Sequence, residues 1–141
     1  MHNRSYSRIA AAWVIAAAPF ASSALCAAEM DGSSDIVCAV VDVVGCAPQG
    51  ECVQGRADSF DLPRFMIVDT KNKTVRASYE SREAASSPVK NLERSGNHLI
   101  LQGVENGRGW EVAIDTQNGS MSAAGVGDAV SFLVFGACTA L

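Results

Sequence analysis

The sequence predicts an all-β fold, a small antiparallel meander barrel or sandwich of about eight strands stapled by two disulfides. Three observations carry this. Short β-like runs alternate with turn signals about every ten residues, four cysteines lie beyond the N-terminal segment, and no stretch shows helical periodicity. The chain of 141 residues, 48% apolar and with a formal net charge of −4, has room for one such domain.

The N-terminus reads as a secretory signal peptide over residues 1–28. His2, Arg4 and Arg8 make a positively charged start, residues 9–18 (IAAAWVIAAA) are uncharged and apolar, and Pro19 ends the run before Ala21, Ser22, Ser23 and Ala24. Cleavage near Ala27 or Ala28 leaves 29–141 as a single disulfide-bonded β domain. The apolar run falls short of the ~20 residues that cross a bilayer, so no stable membrane span is expected after cleavage. Leu25 stands where a lipid-anchor cysteine wants a small residue, which argues against lipidation of Cys26. Because Arg4 and Arg8 are the only charges before Glu29, the mature domain is more acidic than the whole chain. It lacks the clustered Lys and Arg that displace counterions from nucleic acid or anionic membranes, so nucleic acid is excluded as a partner.

Nine segments read as strands: Ile36 to Gly45, Cys52 to Asp58, Arg64 to Asp69, Thr74 to Glu80, Ser87 to Glu93, His98 to Val104, Gly109 to Asp115, Ser120 to Ala124 and Ala129 to Gly136. Val75, Ala77 and Tyr79 alternate with Thr74, Arg76, Ser78 and Glu80, which gives one dry and one wet face. Trp110, Val112 and Ile114 alternate with Glu111 and Asp115 in the same way. Asn-Gly at 106/107 and at 118/119 predicts type I′ hairpin turns, whose central residues both need positive φ. Cys52 to Asp58, with Gln54, Gly55, Arg56 and Asp58, is the weakest strand, which leaves eight regular ones. No internal repeat and no interdomain linker is visible.

The cysteines Cys38, Cys46, Cys52 and Cys138 allow three pairings. Eight residues span ~26 Å in a strand or ~12 Å in a helix, whereas a disulfide tolerates about 7 Å between Cα atoms, which rules out Cys38 with Cys46. The turn formed by Ala47-Pro48-Gln49-Gly50-Glu51 sets Cys46 opposite Cys52. In that register Cys38 opposes position 60, far from Cys52. The prediction is therefore Cys46–Cys52 and Cys38–Cys138, the second tying the first strand to the last. Structural zinc wants ligands two to four residues apart, and Cys46-x5-Cys52 does not provide them, so no metal site is expected.

Two strands are apolar on both faces, the first and residues 130–135 (VSFLVF). Side by side they would form one apolar strip, covered by the segment before Asp35 or by Phe60-Asp61-Leu62-Pro63, or else serving as an interface through Leu133 and Phe135. Catalytic signatures are absent: no Gly-x-Ser-x-Gly elbow, no His-Glu-x-x-His, no free thiol once the cysteines are oxidised, and one mature histidine, His98, beside a turn. No catalytic residue, metal or cofactor is assigned. Asp58/Asp61 and Glu80/Glu83 read as solvated faces. Two groups have the residue types that anchor contacts: Arg108 and Trp110 in Asn106-Gly107-Arg108-Gly109-Trp110, and Arg64 beside Phe65.

The succession of the Cys46/Cys52 turn, Leu62-Pro63-Arg64-Phe65 leading to Val68-Asp69, LILQGVENGRGW (residues 99–110), Ile114-Asp115 and FGACT (135–139) resembles a group of small uncharacterised exported proteins of Gram-negative bacteria. The resemblance spans Cys38 to Thr139. It implies periplasmic export and a disulfide-bonded β fold, and it supplies no activity.

These readings predict a non-catalytic periplasmic binding domain, a monomer or homodimer. In one form a β-barrel takes up a small molecule or lipid; in the alternative the domain is a protein-interaction module, such as an inhibitor of an exported enzyme or an envelope assembly partner. The first form has one weakness. Val75, Tyr79, Leu101, Trp110, Ile114 and Phe132 are enough to fill so small a barrel completely.

Overall fold

The computed structural model describes Met30 and residues 32–78, 86–127 and 129–141. The signal peptide, Cys26, Tyr79 and the Glu80/Glu83 pair of the sequence reading lie outside the described residues. Among the described residues nine antiparallel strands follow one another: β1 (Ile36–Cys46), β2 (Cys52–Gly55), β3 (Phe65–Asp69), β4 (Thr74–Ala77), β5 (Ser86–Ser95), β6 (His98–Glu105), β7 (Arg108–Asp115), β8 (Ser120–Val126) and β9 (Ser131–Ala140). The pairing of β1 with β9 closes all but β2 into an eight-stranded barrel, so of the two predicted architectures the barrel forms.

The weakest predicted strand is the one outside the closed circuit. β2 pairs with the far half of β1, from Cys46↔Cys52 to Val43↔Gly55, and β3 pairs with the near half, from Ala39↔Phe65 to Ile36↔Val68. Together they form one neighbour row along β1, interrupted where residues 56–64 leave the sheet. That excursion contains a 3₁₀ turn (Ala57–Phe60), ended by Asp61 in the left-handed region at φ 53, and it rejoins where Val40 N–H donates to Arg64 O at 2.8 Å. Cys38 therefore lies opposite Met66, not position 60, because the excursion takes up the difference. The disulfides themselves are Cys38–Cys138, with Cα atoms 4.0 Å apart, and Cys46–Cys52, at 4.1 Å.

Two bulges help the sheet curl. The register shifts between Val40 and Asp42 on β1, and between Val89 and Asn91 on β5, leaving Val41 and Lys90 as the extra residues. The first bulge also changes which residues of β1 face inward. Inward positions run Ile36, Cys38, Val40 and then, after the parity change, Val43 and Gly45.

Of the two Asn-Gly turns, 106/107 is the predicted I′ type, with Asn106 at φ 49 and Gly107 at φ 77. At 118/119 only Gly119 has positive φ, at 76, so that turn is of another kind. The Asp115 carboxylate accepts the N–H groups of Gln117 and Asn118 at 2.8 and 3.3 Å, and Gly119 N–H donates to Asp115 O at 2.8 Å. These bonds organise a four-residue loop that needs one left-handed residue, not two. The turn after β3 repeats the device: Asp69 accepts from Asn72 N–H at 2.8 Å and from its side-chain amide at 2.7 Å, and Lys73 takes φ 52.

The core occupies one half of the barrel. Ile36, Cys38, Leu99, Leu101 and Ile114 are fully buried there, joined by Val68 and Met121. Met30 is buried against the same cluster, and Thr70 Oγ1 donates to Gly32 O at 2.7 Å, which fastens the leading segment to this end.

Candidate functional site

The other half of the barrel is hollow. A cavity of about 660 Å³ opens at the end where the 3₁₀ excursion, the β6–β7 hairpin and the link between β8 and β9 come together. Its walls are the inward side chains of the upper strand halves, among them Val40, Met66, Val75, Val112, Phe132 and Val134. Complete filling of the interior therefore does not occur. Leu101 and Ile114 pack in the closed half, whereas Val75, Trp110 and Phe132 border the open one.

Glycines and aromatics shape the mouth. Phe60, carried inward by the excursion, occupies the space over Gly45, where a Cβ would lie 2.6 Å from its Cε1. The same ring meets Phe132 edge to face, with centroids 5.9 Å apart. Across the barrel the indole of Trp110 takes the space above its cross-strand partner Gly103. Its Nε1 donates to Ser87 Oγ at 2.9 Å. Ser87 is buried, and this bond supplies the partner that a buried hydroxyl needs. None of these four roles, for Phe60, Gly45, Gly103 and Ser87, follows from the sequence reading. The available signal was glycine inside an otherwise regular strand, which marks the close approach of another group.

Arg64, Arg108 and Trp110, the contact anchors of two separate sequence groups, all border this one cavity. Arg64 is exposed on the excursion, and its Nη2 lies 3.5 Å from Asp58 Oδ2, while Arg56 Nε lies 3.9 Å from Asp58 Oδ1. Both are surface pairs of small energetic weight. Arg108 stands opposite on the first residue of β7, its aliphatic stem against Gly127. Among the described residues it has no ion pair. Phe65 is exposed on the outer side and does not join Arg64 in the cavity wall. Asp58 and Asp61 belong to the cavity rim with Glu105. His98 is exposed, opposite Asp115 at the closed end, away from all of these. Among the described residues no group of three His, Cys, Asp or Glu could hold a metal ion.

The apolar strip takes a simple form. Leu133 and Phe135 face outward from β9 and are 49% and 46% exposed. Among the described residues nothing of the expected internal cover lies across the strip: the Phe60 segment turns toward Gly45 and Phe132, and Met30 packs against the core cluster. Among the described residues no helix is long and apolar enough to cross a membrane. Comparison of the chain with protein-family models, with curated proteins and with solved structures found no match.

Proposed function

We propose that this chain is a non-catalytic binding domain of the bacterial periplasm that takes a small apolar molecule or lipid into the open half of its barrel. One observation carries the reading: an eight-stranded barrel whose lower half is packed and whose upper half is a walled cavity of about 660 Å³, open at one end. That volume is in the range of ligand clefts of about 300 to 1,000 Å³, and eight strands leave room for one small ligand. The apolar walls fit an apolar guest, since a polar one would lose its hydrogen bonds on entry. Export is supported by the N-terminal pattern, by the two disulfides, which persist in oxidising compartments, and by the resemblance to exported Gram-negative proteins.

The test is native mass spectrometry of protein purified from the periplasm, paired with a fluorescence titration. Trp110 is the only tryptophan beyond the signal segment, so its emission reports the cavity mouth. Dodecanoate and 1-aminoanthracene are expected to shift that emission and to saturate at one molecule per chain. A clean unliganded mass together with unchanged emission rejects the reading.

A second reading, a protein-interaction module or homodimer, is favoured by the outward Leu133 and Phe135 alone. Sedimentation of the wild type beside an L133S/F135S variant tests it. A dimer lost in the variant supports it, and a monomer in both removes the homodimer.

A further inference from the structure

One row of cross-strand partners shapes the open half of the barrel. It runs Gly103, Trp110, Gly125, Phe132 and Gly45, on β6, β7, β8, β9 and β1. One step nearer the packed half the same strands carry Leu101, Val112, Ala123, Val134 and Val43, without a glycine. The aromatic rings use the three glycines of the upper row unequally. Trp110 leans over Gly103 on β6 and reaches Ser87 on β5, so its indole is drawn away from β8. Phe60 takes the space over Gly45, with Phe132 beside it. Gly125 is left open: among the described residues a Cβ there would meet only Phe132 Cδ2, at 4.0 Å. The cavity wall therefore holds a slot with bare backbone at its base and an aromatic residue on either side. Trp110 and Phe132 are the cross-strand partners of Gly125, so their Cα atoms stand about 10 Å apart, two strand spacings.

Resting on the proposed binding function, we propose that Gly125 is a specificity-determining position and that the ligand carries a flat, rigid, largely hydrocarbon fused-ring system. The ring lies in this slot, against the Gly125 backbone and between Trp110 and Phe132. Both walls are fixed before the ligand arrives. The Ser87 hydrogen bond holds the indole, and the edge-to-face contact with Phe60 holds Phe132. A preformed slot suits a guest that is itself rigid, because a fused ring has no rotamers to lose, whereas an alkyl chain gives up torsional freedom along its length. Aromatic walls also favour a ring through offset and edge contacts, beyond the area buried. Glycine at 125 admits it, since a side chain on this inward position would stand in the slot. Charge does not make the choice. The described lining carries both signs, with Arg64, Arg76 and Arg108 beside Asp58, Asp61 and Glu105, and so singles out no head group.

The experiment compares two neutral alcohols with the same number of carbons, naphthalen-2-ylmethanol and undecan-1-ol, by isothermal titration calorimetry on wild type, Gly125→Ala and Gly125→Val. The added Cβ makes only ordinary contact, so both variants are expected to fold, and melting temperatures check this. Wild type should bind the naphthyl alcohol at least as tightly as undecanol, although the chain offers more hydrocarbon to bury. G125V should weaken the naphthyl alcohol about tenfold or more, as crowding of a packed site does, and G125A should weaken it less. Undecanol should stay within about twofold in both variants, since a chain bends past the new methyl groups. Tighter binding of undecanol by wild type overturns the ring assignment. Variants that leave the naphthyl alcohol unchanged, or weaken both alcohols equally, overturn the slot, and so does a G125A protein that fails to fold, since the space at Gly125 is then not open. In the first two cases the cavity still binds an apolar guest, and the binding function stands. If neither alcohol binds the wild type, the binding function itself fails, and this inference with it.

Discussion

The indole Nε1 of Trp110 donates to Ser87 Oγ at 2.9 Å, and the ring that makes this bond occupies the space left by the missing side chain of Gly103. Three strands, β5, β6 and β7, are thereby held in one arrangement at the cavity mouth. An added Cβ at Gly103 would overlap the ring and lie 2.8 Å from the Pro88 carbonyl oxygen, which cannot swing aside as a flexible side chain does. Gly103→Ala is therefore expected to cost about 1 to 3 kcal/mol, as overpacking does. It should also red-shift the Trp110 emission as the indole is pushed outward. Urea unfolding and emission spectra check both, and an unchanged spectrum would contradict the packing described.

The two disulfides are expected to contribute unequally. Cys38–Cys138 closes a separation of 100 residues and Cys46–Cys52 one of 6, which the chain-entropy relation converts to about 4.7 and about 2 kcal/mol. The long-range pair is also fully buried at Cys38, while Cys52 is exposed. C38S/C138S should lower the melting temperature far more than C46S/C52S. Mild reductant should open the hairpin bridge first. Mass spectrometry after timed alkylation reads the order of opening, and simultaneous labelling of all four thiols would refute it.

Strand positions and the disulfide pairing were legible because they depend on local alternation and on chain reach. Val112 and Ile114 point inward as their alternation with Glu111 and Asp115 requires. The Cys38–Cys138 pairing tied the start of the domain to its end but left barrel and sandwich both open. The cavity was not legible, since whether side chains fill a barrel depends on which inward residues share a level around it, a property of strand stagger. Composition cannot reveal that Leu101 and Ile114 fall in the packed half while Val75 and Phe132 border the hollow one. The excursion between β2 and β3 was hidden for a related reason. Residues 56–64 carry turn formers that fit a loop anywhere, and only the fold brings Asp58, Leu62 and Arg64 to the cavity lining.

The matched turns after β3 and β7 give a paired test. Residues 69–74 (DTKNKT) and 115–120 (DTQNGS) place Lys73 at φ 52 and Gly119 at φ 76 in equivalent positions. Gly119→Ala should destabilise by about 2 kcal/mol, from the left-handed penalty and from contact with the Cys138 carbonyl oxygen. Lys73→Gly removes the same penalty but loosens the unfolded chain, so its net effect should be within about 1 kcal/mol and on the stabilising side. Equal losses in the two variants would rule out a shared turn geometry.

Asp69 gives a pH prediction. Its carboxyl is held below the ordinary value of 3.8, first by the Asn72 backbone N–H and next by the Asn72 side-chain amide. A folded value below the unfolded one means a stabilising contribution that is complete above the unfolded value. It fades as pH falls through the lower folded value. Asp69→Asn, which cannot ionise, should be less stable than wild type at pH 6 and should lose less on going to pH 3. Urea midpoints at the two pH values measure this, and identical pH dependence in the two proteins would remove Asp69 from the acid limb.

Residues 133 to 135 separate surface from core within three positions. Leu133 and Phe135 face outward, 49% and 46% exposed, and Val134 between them faces inward at 9%. Serine at either outer position removes little buried area and leaves its hydroxyl in water. L133S and F135S are therefore expected to fold with stability changed by about 1 kcal/mol or less. Val134→Ser opens a void beside the cavity and strands a hydroxyl against Val43 and Ala123, its cross-strand partners. It should cost about 2 to 4 kcal/mol. Circular dichroism melts of the three variants decide the matter. If L133S or F135S fails to fold, the strip is covered in the native protein, and the outward face described for β9 is wrong.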